Sequence, residues 1–150
     1  MYFNAALLGL VAAASSVAAA PSAKSRPNTV SAMADVPAWI ITSFTRTCNE
    51  GDTTCDVTFG IDTQTAPATD CAYTVIGSPA SQTATNGIVC GPYTISSSWS
   101  GQFGPENGFT TWSVIDWDNR LIAWPAYNDQ ELVNATAVTP DKSFTPQTLA

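Results

Sequence analysis

The chain contains no histidine and few cationic side chains. Histidine is the usual general base of serine and cysteine hydrolases and the commonest zinc ligand, so we expect no histidine-dependent hydrolysis and no metal centre. Five Lys and Arg residues against twelve Asp and Glu give a net charge of −7. Because phosphate neutralisation needs clustered cations, we predict no nucleic-acid partner. The nine glycines are scattered and form no phosphate-binding loop, and we expect no cofactor.

The N-terminus has the pattern of a secretory signal peptide. An apolar run over Ala5–Ala14 is followed by small residues that offer a cleavage site at Ala18–Ala20. Because Pro21 would hinder cleavage immediately before it, we predict a signal peptide over residues 1–19. The alternative is a membrane anchor, which needs about 20 apolar residues, and this run is shorter. The sequence therefore predicts a secreted, extracellular protein with no membrane attachment after the signal peptide is removed.

The rest of the chain divides into a short arm and one domain. Residues 20–35 are poor in large apolar side chains and contain two prolines, so we predict a disordered arm or pro-segment there. Residues 36–150 are enough for one folded domain and too few for two.

The cysteines predict two disulfides. They form an even set in a chain predicted to be secreted: Cys48, Cys55, Cys71 and Cys90. Three pairings are open in principle. A polar, glycine-containing turn between Cys48 and Cys55 favours a bridge across a hairpin, which leaves Cys71 to pair with Cys90. A four-thiolate metal site would need the closely spaced pairs that zinc prefers, so we expect structural bridges instead.

Short alternating segments predict an all-β fold. In Asp56–Asp62, the apolar side chains of Val57, Phe59 and Ile61 would face a core while their neighbours face water. Further strands are predicted at Ala38–Arg46, Cys71–Ile76, Ile88–Ser96, Thr110–Asp116, Arg120–Tyr127 and residues 143–149. We predict a single small antiparallel sandwich or barrel of about seven to nine short strands.

Turn residues separate the predicted strands. Asn86 and Gly87 predict a turn before the strand at Ile88, and Trp117–Asn119 predicts a hairpin turn. The glycine-rich segment Trp99–Phe109 is expected to form a looser connection.

Asp116 and Asp118 are candidate ligand contacts. A glycosidase needs two carboxylates about 5–10 Å apart, and residues two apart on a strand can share one face. The alternative is that these side chains stabilise the turn, where Asp commonly bonds its own backbone. We favour the turn and expect no catalytic role.

The tryptophans are candidates for either a core or a sugar-stacking surface. There are five: Trp39, Trp99, Trp112, Trp117 and Trp124. Because tryptophan suits sheet interiors, we expect Trp39 and one of Trp112 and Trp124 inside. Trp99 and Trp117 lie in turn-rich stretches and are the candidate surface contacts. Separately, Asn134 begins an N-x-T sequon and is a candidate glycosylation site in a secreted chain.

The C-terminal half carries a resemblance to a known family. The segment DNRLIAWPAY (Asp118–Tyr127), followed by VTPD (Val138–Asp141) and preceded by CNEGDTTC, resembles small secreted fungal proteins, especially the hypersensitive-response-inducing elicitors of plant pathogens. The resemblance covers residues 36–149 and implies a non-enzymatic protein that acts outside the fungal cell and that plant tissue perceives. It provides no catalytic motif, and only the four cysteines transfer, as disulfides.

Two classes of function therefore compete. The first is a secreted, effector-like protein whose partner is a host or cell-wall component. The second is a small carbohydrate-binding or carbohydrate-active module that acts on wall polysaccharide through the Trp and Asp residues around positions 112–124. The receptor, the ligand and the oligomeric state are left open at this point.

Overall fold

The computed structural model describes residues 33–133 and 135–150, which form ten β-strands and three short 3-10 turns. The strands are β1 (Trp39–Cys48), β2 (Thr54–Asp62), β3 (Thr69–Ile76), β4 (Thr85–Cys90), β5 (Tyr93–Ser100), β6 (Phe109–Asp116), β7 (Leu121–Ala123), β8 (Ala126–Asn128), β9 (Lys142–Phe144) and β10 (Gln147–Thr148). The 3-10 turns cover Ala80–Gln82, Pro105–Asn107 and Asp129–Leu132. The predicted signal peptide, most of the predicted arm and Asn134 lie outside the described residues.

The strands build two antiparallel sheets. One has the order β3-β2-β1-β9, and the other has the order β10-β7-β6-β5-β4, with β8 also paired to β6. The buried side chains of both sheets form one cluster, as in a β-sandwich. The predicted all-β antiparallel fold is confirmed, and the sandwich is the form it takes. No helix in the described part is long and apolar enough to cross a membrane.

Prolines explain why there are more strands than the seven to nine predicted. The segment Ile88–Ser96 is not one strand, because Gly91 and Pro92 form the turn between β4 and β5. Gly91 has a φ of 55°, which glycine adopts without a Cβ clash. Pro125 likewise divides Arg120–Tyr127 into β7 and β8, since proline has no N–H for the ladder.

Two further strand boundaries differ from those predicted, one at a proline and one at a glycine bulge. Pro146 separates β9, which pairs with β1, from β10, which pairs with β7, so the single predicted strand over residues 143–149 serves both sheets. Asn86 and Gly87 do not form a turn but lie inside β4, where the pairing with β5 shifts register. Gly87 has a φ of 69°, as expected for a β-bulge.

A bulge in β1 sets the centre of the core. Between Thr42 and Thr45 the register against β2 shifts by one residue, and Ser43 has a φ of 50°. Without the extra residue, strict alternation after Trp39 and Ile41 would direct Ser43 inward. The bulge instead leaves Ser43 exposed and places Phe44 in the core at 1% exposure.

Aromatic rings from both sheets meet around Phe44. Its ring stacks on Phe59 of β2 at 5.2 Å and on Tyr127 of β8 at 4.3 Å, and it meets the edge of Trp112 of β6 at 4.7 Å. Trp112 and Trp39 are each only 2% exposed, which agrees with the expectation that Trp39 and one of Trp112 and Trp124 lie inside. The predicted core face of β2 is also confirmed, since Val57, Phe59 and Ile61 are all buried.

Both predicted disulfides are present and have different structural roles. Cys48–Cys55 links directly opposed residues of the β1–β2 hairpin, whereas Cys71–Cys90 joins β3 of one sheet to β4 of the other. Cys48 and Cys55 also lie near Asp52, as metal ligands would. Their sulfurs are bonded to each other, and the Asp52 carboxylate accepts hydrogen bonds from Ser81. This cluster is therefore occupied by structural bonds.

Candidate functional site at one end of the sandwich

A cleft of about 470 Å³ opens at the end of the sandwich where β1 and β5 begin and β2 and β6 end. We call it the end cleft. Its deepest residues, Trp39, Tyr93 and Asp116, are buried. Exposed residues surround them, among them Pro37, Ala66, Pro92, Asp118 and Asn119. The cleft therefore has apolar walls with polar groups at its base and along one side.

Asp116 is buried because it continues the inward face of β6. Thr110, Trp112, Val114 and Asp116 alternate inward along that strand, and Asp116 is 6% exposed. Its two carboxylate oxygens accept hydrogen bonds from the backbone N–H of Asn119 at 3.0 Å and from Asn119 Nδ2 at 2.8 Å. The side chain therefore stabilises the turn that leads into β7.

Tyr93 supplies the phenol at the base of the cleft. Burial raises the pKa of Tyr93, and the negative charge of Asp116 raises it further, while a hydrogen bond with Thr63 opposes both effects. The hydroxyl consequently stays protonated at neutral pH and can donate a hydrogen bond. Together with the Asp116 and Asp118 carboxylates, it gives the end cleft both a donor and acceptors.

Trp117 lies outside the end cleft. The indole is 59% exposed, and its Nε1 donates to Thr94 Oγ1 at 3.1 Å. Thr94 lies between the buried residues Tyr93 and Ile95 on β5, so it faces outward from the six-stranded sheet. Trp117 therefore covers the outer sheet face and does not line the end cleft.

Trp99 does not line the end cleft either, and it is half-buried. Its Nε1 donates to Asp129 Oδ2 at 2.7 Å, and Asp129 Oδ1 in turn lies 3.0 Å from Arg46. The ring packs against Gly101 and Gly108, where a Cβ would collide with the indole. Trp99 thus holds the loop between β5 and β6 in place.

Of the four candidate contacts, only Asp116 and Asp118 come together. Sequence reasoning did not identify Tyr93 and Thr63 as members of the same site, because they lie far from Asp116 in the chain. The inward position of Asp116 was available from the sequence, since it is in phase with Trp112 and Val114. Trp124, at 49% exposure, is the member of the Trp112–Trp124 pair that lies outside.

The chain is similar to known proteins over the region that contains most of the end cleft. A family model described as Effector TSP1 matches residues 40–149. The chain belongs to the Effector TSP1 family. A relative named "Effector TSP1" from Hypocrea virens (strain Gv29-8 / FGSC 10586) is 47% identical over 150 residues, which covers 99% of each chain. Membership of the Effector TSP1 family confirms the resemblance to fungal elicitor-like effectors. The matched region contains both disulfides and most of the end cleft.

Replacing Asp116 tests its role in the Effector TSP1 fold. We expect Asp116→Ala to lower the free energy of unfolding by about 1.5–3 kcal/mol, because two hydrogen bonds to a buried carboxylate are lost. Asp118→Ala is the matched control and should change it by no more than about 0.5 kcal/mol, since Asp118 is exposed. Urea denaturation followed by tryptophan fluorescence measures both. Equal effects of the two substitutions would contradict this assignment.

Proposed function

We propose that this Effector TSP1 family member is a secreted, non-enzymatic effector that acts in the extracellular space, where plant tissue perceives it and responds with defence or cell death. The observation that carries the proposal is family membership over residues 40–149. The N-terminal signal-peptide pattern and the two disulfides support the extracellular part. Disulfides persist in oxidising compartments and are rare in the cytosol.

The chemistry of the end cleft supports a binding role over catalysis. The chain has no histidine to act as general base, and the Asp116 carboxylate is already bonded by Asn119 on both oxygens. The second carboxylate, Asp118, is exposed, whereas a glycosidase acid needs surroundings that keep it protonated. A cleft of this kind suits recognition, either of a small molecule or by a receptor loop.

A receptor would have to recognise the folded domain. The residues around the end cleft come from four separate stretches, at positions 36–39, 63–66, 92–93 and 116–121. Only the packed sandwich places these stretches together. Recognition should therefore depend on the fold and not on a linear peptide.

Leaf infiltration tests the proposal. We expect the purified native protein to raise electrolyte leakage and defence-gene transcripts above those produced by an unrelated acidic protein of similar size. The full-length chain, expressed in a filamentous fungus with a C-terminal tag, should accumulate in the culture fluid. A response no greater than the control's, or retention of the tagged chain inside the cells, would refute the proposal.

A further inference from the structure

A second groove of about 480 Å³ lies on the surface between two of the 3-10 turns. One wall is the loop that contains Pro105–Asn107, and the other is formed where β8 leads into Asp129–Leu132. Its lining consists of Phe103, Glu106, Asn107, Phe109, Asn128 and Gln130. We call it the Phe103 groove. It contains none of the residues that line the end cleft.

Two aromatic rings form an open platform in the Phe103 groove. Phe103 is 64% exposed and stacks on Phe109, with ring centroids 5.9 Å apart and planes inclined by 26°. An exposed phenylalanine held flat against a second ring presents its other face to solvent. Large exposed apolar groups bordered by polar side chains are typical of binding surfaces.

The polar groups around the platform have unused hydrogen-bonding capacity. Asn107 Nδ2 donates to the Phe103 carbonyl at 3.2 Å, and Gln130 Nε2 donates to the Glu106 carbonyl at 2.9 Å. Each bond uses one of the two N–H groups of the amide, and the side-chain oxygens of Asn107 and Gln130 accept no hydrogen bond from the described residues. The Glu106 carboxylate likewise makes no hydrogen bond or ion pair within residues 33–133 and 135–150. The groove thus offers acceptors for hydroxyl donors.

The groove is formed in advance of any ligand. The bond from Gln130 joins its two walls, and the backbone N–H of Asp129 donates to the Gly108 carbonyl at 2.9 Å. Trp99 packs against Gly101 and Gly108 and is itself bonded to Asp129. Because a preformed site loses little conformational entropy on binding, this framework favours ligand capture.

The charge of the Phe103 groove favours a neutral ligand over an anionic one. An aromatic face beside hydrogen-bond acceptors fits a pyranose ring, which has C–H groups on its faces and hydroxyl donors at its edge. No cationic side chain lines the groove, Glu106 contributes a carboxylate, and the chain carries a net charge of −7. An anionic polysaccharide such as polygalacturonate would be repelled.

We propose that the Phe103 groove binds a neutral glycan chain, with one sugar ring stacked on Phe103 and its hydroxyls bonded to Glu106 and Asn107. This site differs from the Trp and Asp residues around positions 112–124 that the sequence indicated for sugar contact. The proposal does not depend on plant perception, because retention on a glycan is measured without a host.

The test is retention of the full mature protein on insoluble cellulose, β-1,3-glucan and chitin, followed by titration with soluble oligosaccharides of the retained type. We expect retention on at least one neutral glycan and none on polygalacturonate. Phe103→Ala should weaken binding roughly tenfold or more, as truncation of a central aromatic contact does. Phe103→Trp should preserve binding, and Trp117→Ala is the matched control that removes a comparably exposed aromatic side chain elsewhere.

Glu106→Ala provides a second test in case Phe103→Ala destabilises the fold. If Phe103→Ala lowers the thermal midpoint, Glu106→Ala replaces it, because the Glu106 side chain makes no hydrogen bond or ion pair within the described part and its backbone carbonyl is kept. It should also weaken binding, by a factor of several. The proposal is overturned if no neutral glycan retains the protein, if Phe103→Ala and Glu106→Ala bind as the wild type does, or if Trp117→Ala alone abolishes retention.

Discussion

Phe44→Ala is expected to lower the free energy of unfolding by about 3–5 kcal/mol, a large part of the stability of a small domain. Phe44 contacts Phe59, Trp112 and Tyr127, so it connects the inner faces of both sheets. Truncation would leave a cavity between the sheets in addition to removing buried apolar surface. The backbone bulge that directs Phe44 inward makes compensation by a neighbour difficult, because Ser43 faces solvent.

Val89→Ala is the matched control for this prediction. Val89 lies on β4 and is 79% exposed, so its truncation should change the free energy of unfolding by no more than about 0.5 kcal/mol. Both variants are compared with the wild type by urea denaturation at neutral pH. A loss below about 1 kcal/mol for Phe44→Ala would mean that the two sheets do not pack through this ring.

Removing the inter-sheet disulfide has the second large expected effect. We expect Cys71→Ala combined with Cys90→Ala to cost about 3 kcal/mol by the chain-entropy relation for a loop of this size. The bridge closes a loop with a sequence separation of 19, against 7 for Cys48–Cys55. The same relation gives about 2.4 kcal/mol for the smaller loop. The larger loss therefore belongs to the bridge that joins the sheets.

The positions of the two bridges in the fold are expected to increase the difference between the stabilities lost on their removal. Cys48–Cys55 lies within one hairpin, whose ladder already holds the two strands together. Cys71–Cys90 connects β3 and β4, which belong to different sheets, so no ladder replaces it. Thermal unfolding of the two double variants measures the contrast. A lower midpoint for Cys48→Ala with Cys55→Ala than for the inter-sheet variant would contradict it.

The all-β fold and the disulfide pairing were predictable from local patterns. The alternation of Val57, Phe59 and Ile61 has one consistent interpretation, and the turn between Cys48 and Cys55 brings those two residues opposite each other. The strand boundaries were harder to predict from the sequence. Pro92, Pro125 and Pro146 each interrupt a segment predicted as one strand, and a single sequence does not show whether the strand on either side joins the same sheet. In the case of Pro146 the two strands join different sheets.

The candidate site was only partly predictable because it depends on long-range contacts. Asp116 and Asp118 are neighbours in sequence, and both do line the end cleft. Tyr93 and Thr63 reach the same place only through the packing of the two sheets. Trp117 is exposed, as expected from the sequence, but its bond to Thr94, 23 residues earlier in the chain, is a long-range contact that no local pattern indicates. The platform of Phe103 and Phe109 likewise lies in a segment expected to be a loose connection.

The proposed perception by plant tissue requires the folded, disulfide-bonded domain. The most direct measurement is the dose dependence of electrolyte leakage in infiltrated leaves for the wild type beside the Cys71→Ala, Cys90→Ala variant, with the folded fraction of each determined by circular dichroism. We predict that leakage follows the folded fraction, so that the variant is inactive at a temperature where it is unfolded and the wild type is not. Equal leakage from the folded and the unfolded chain would contradict the claim.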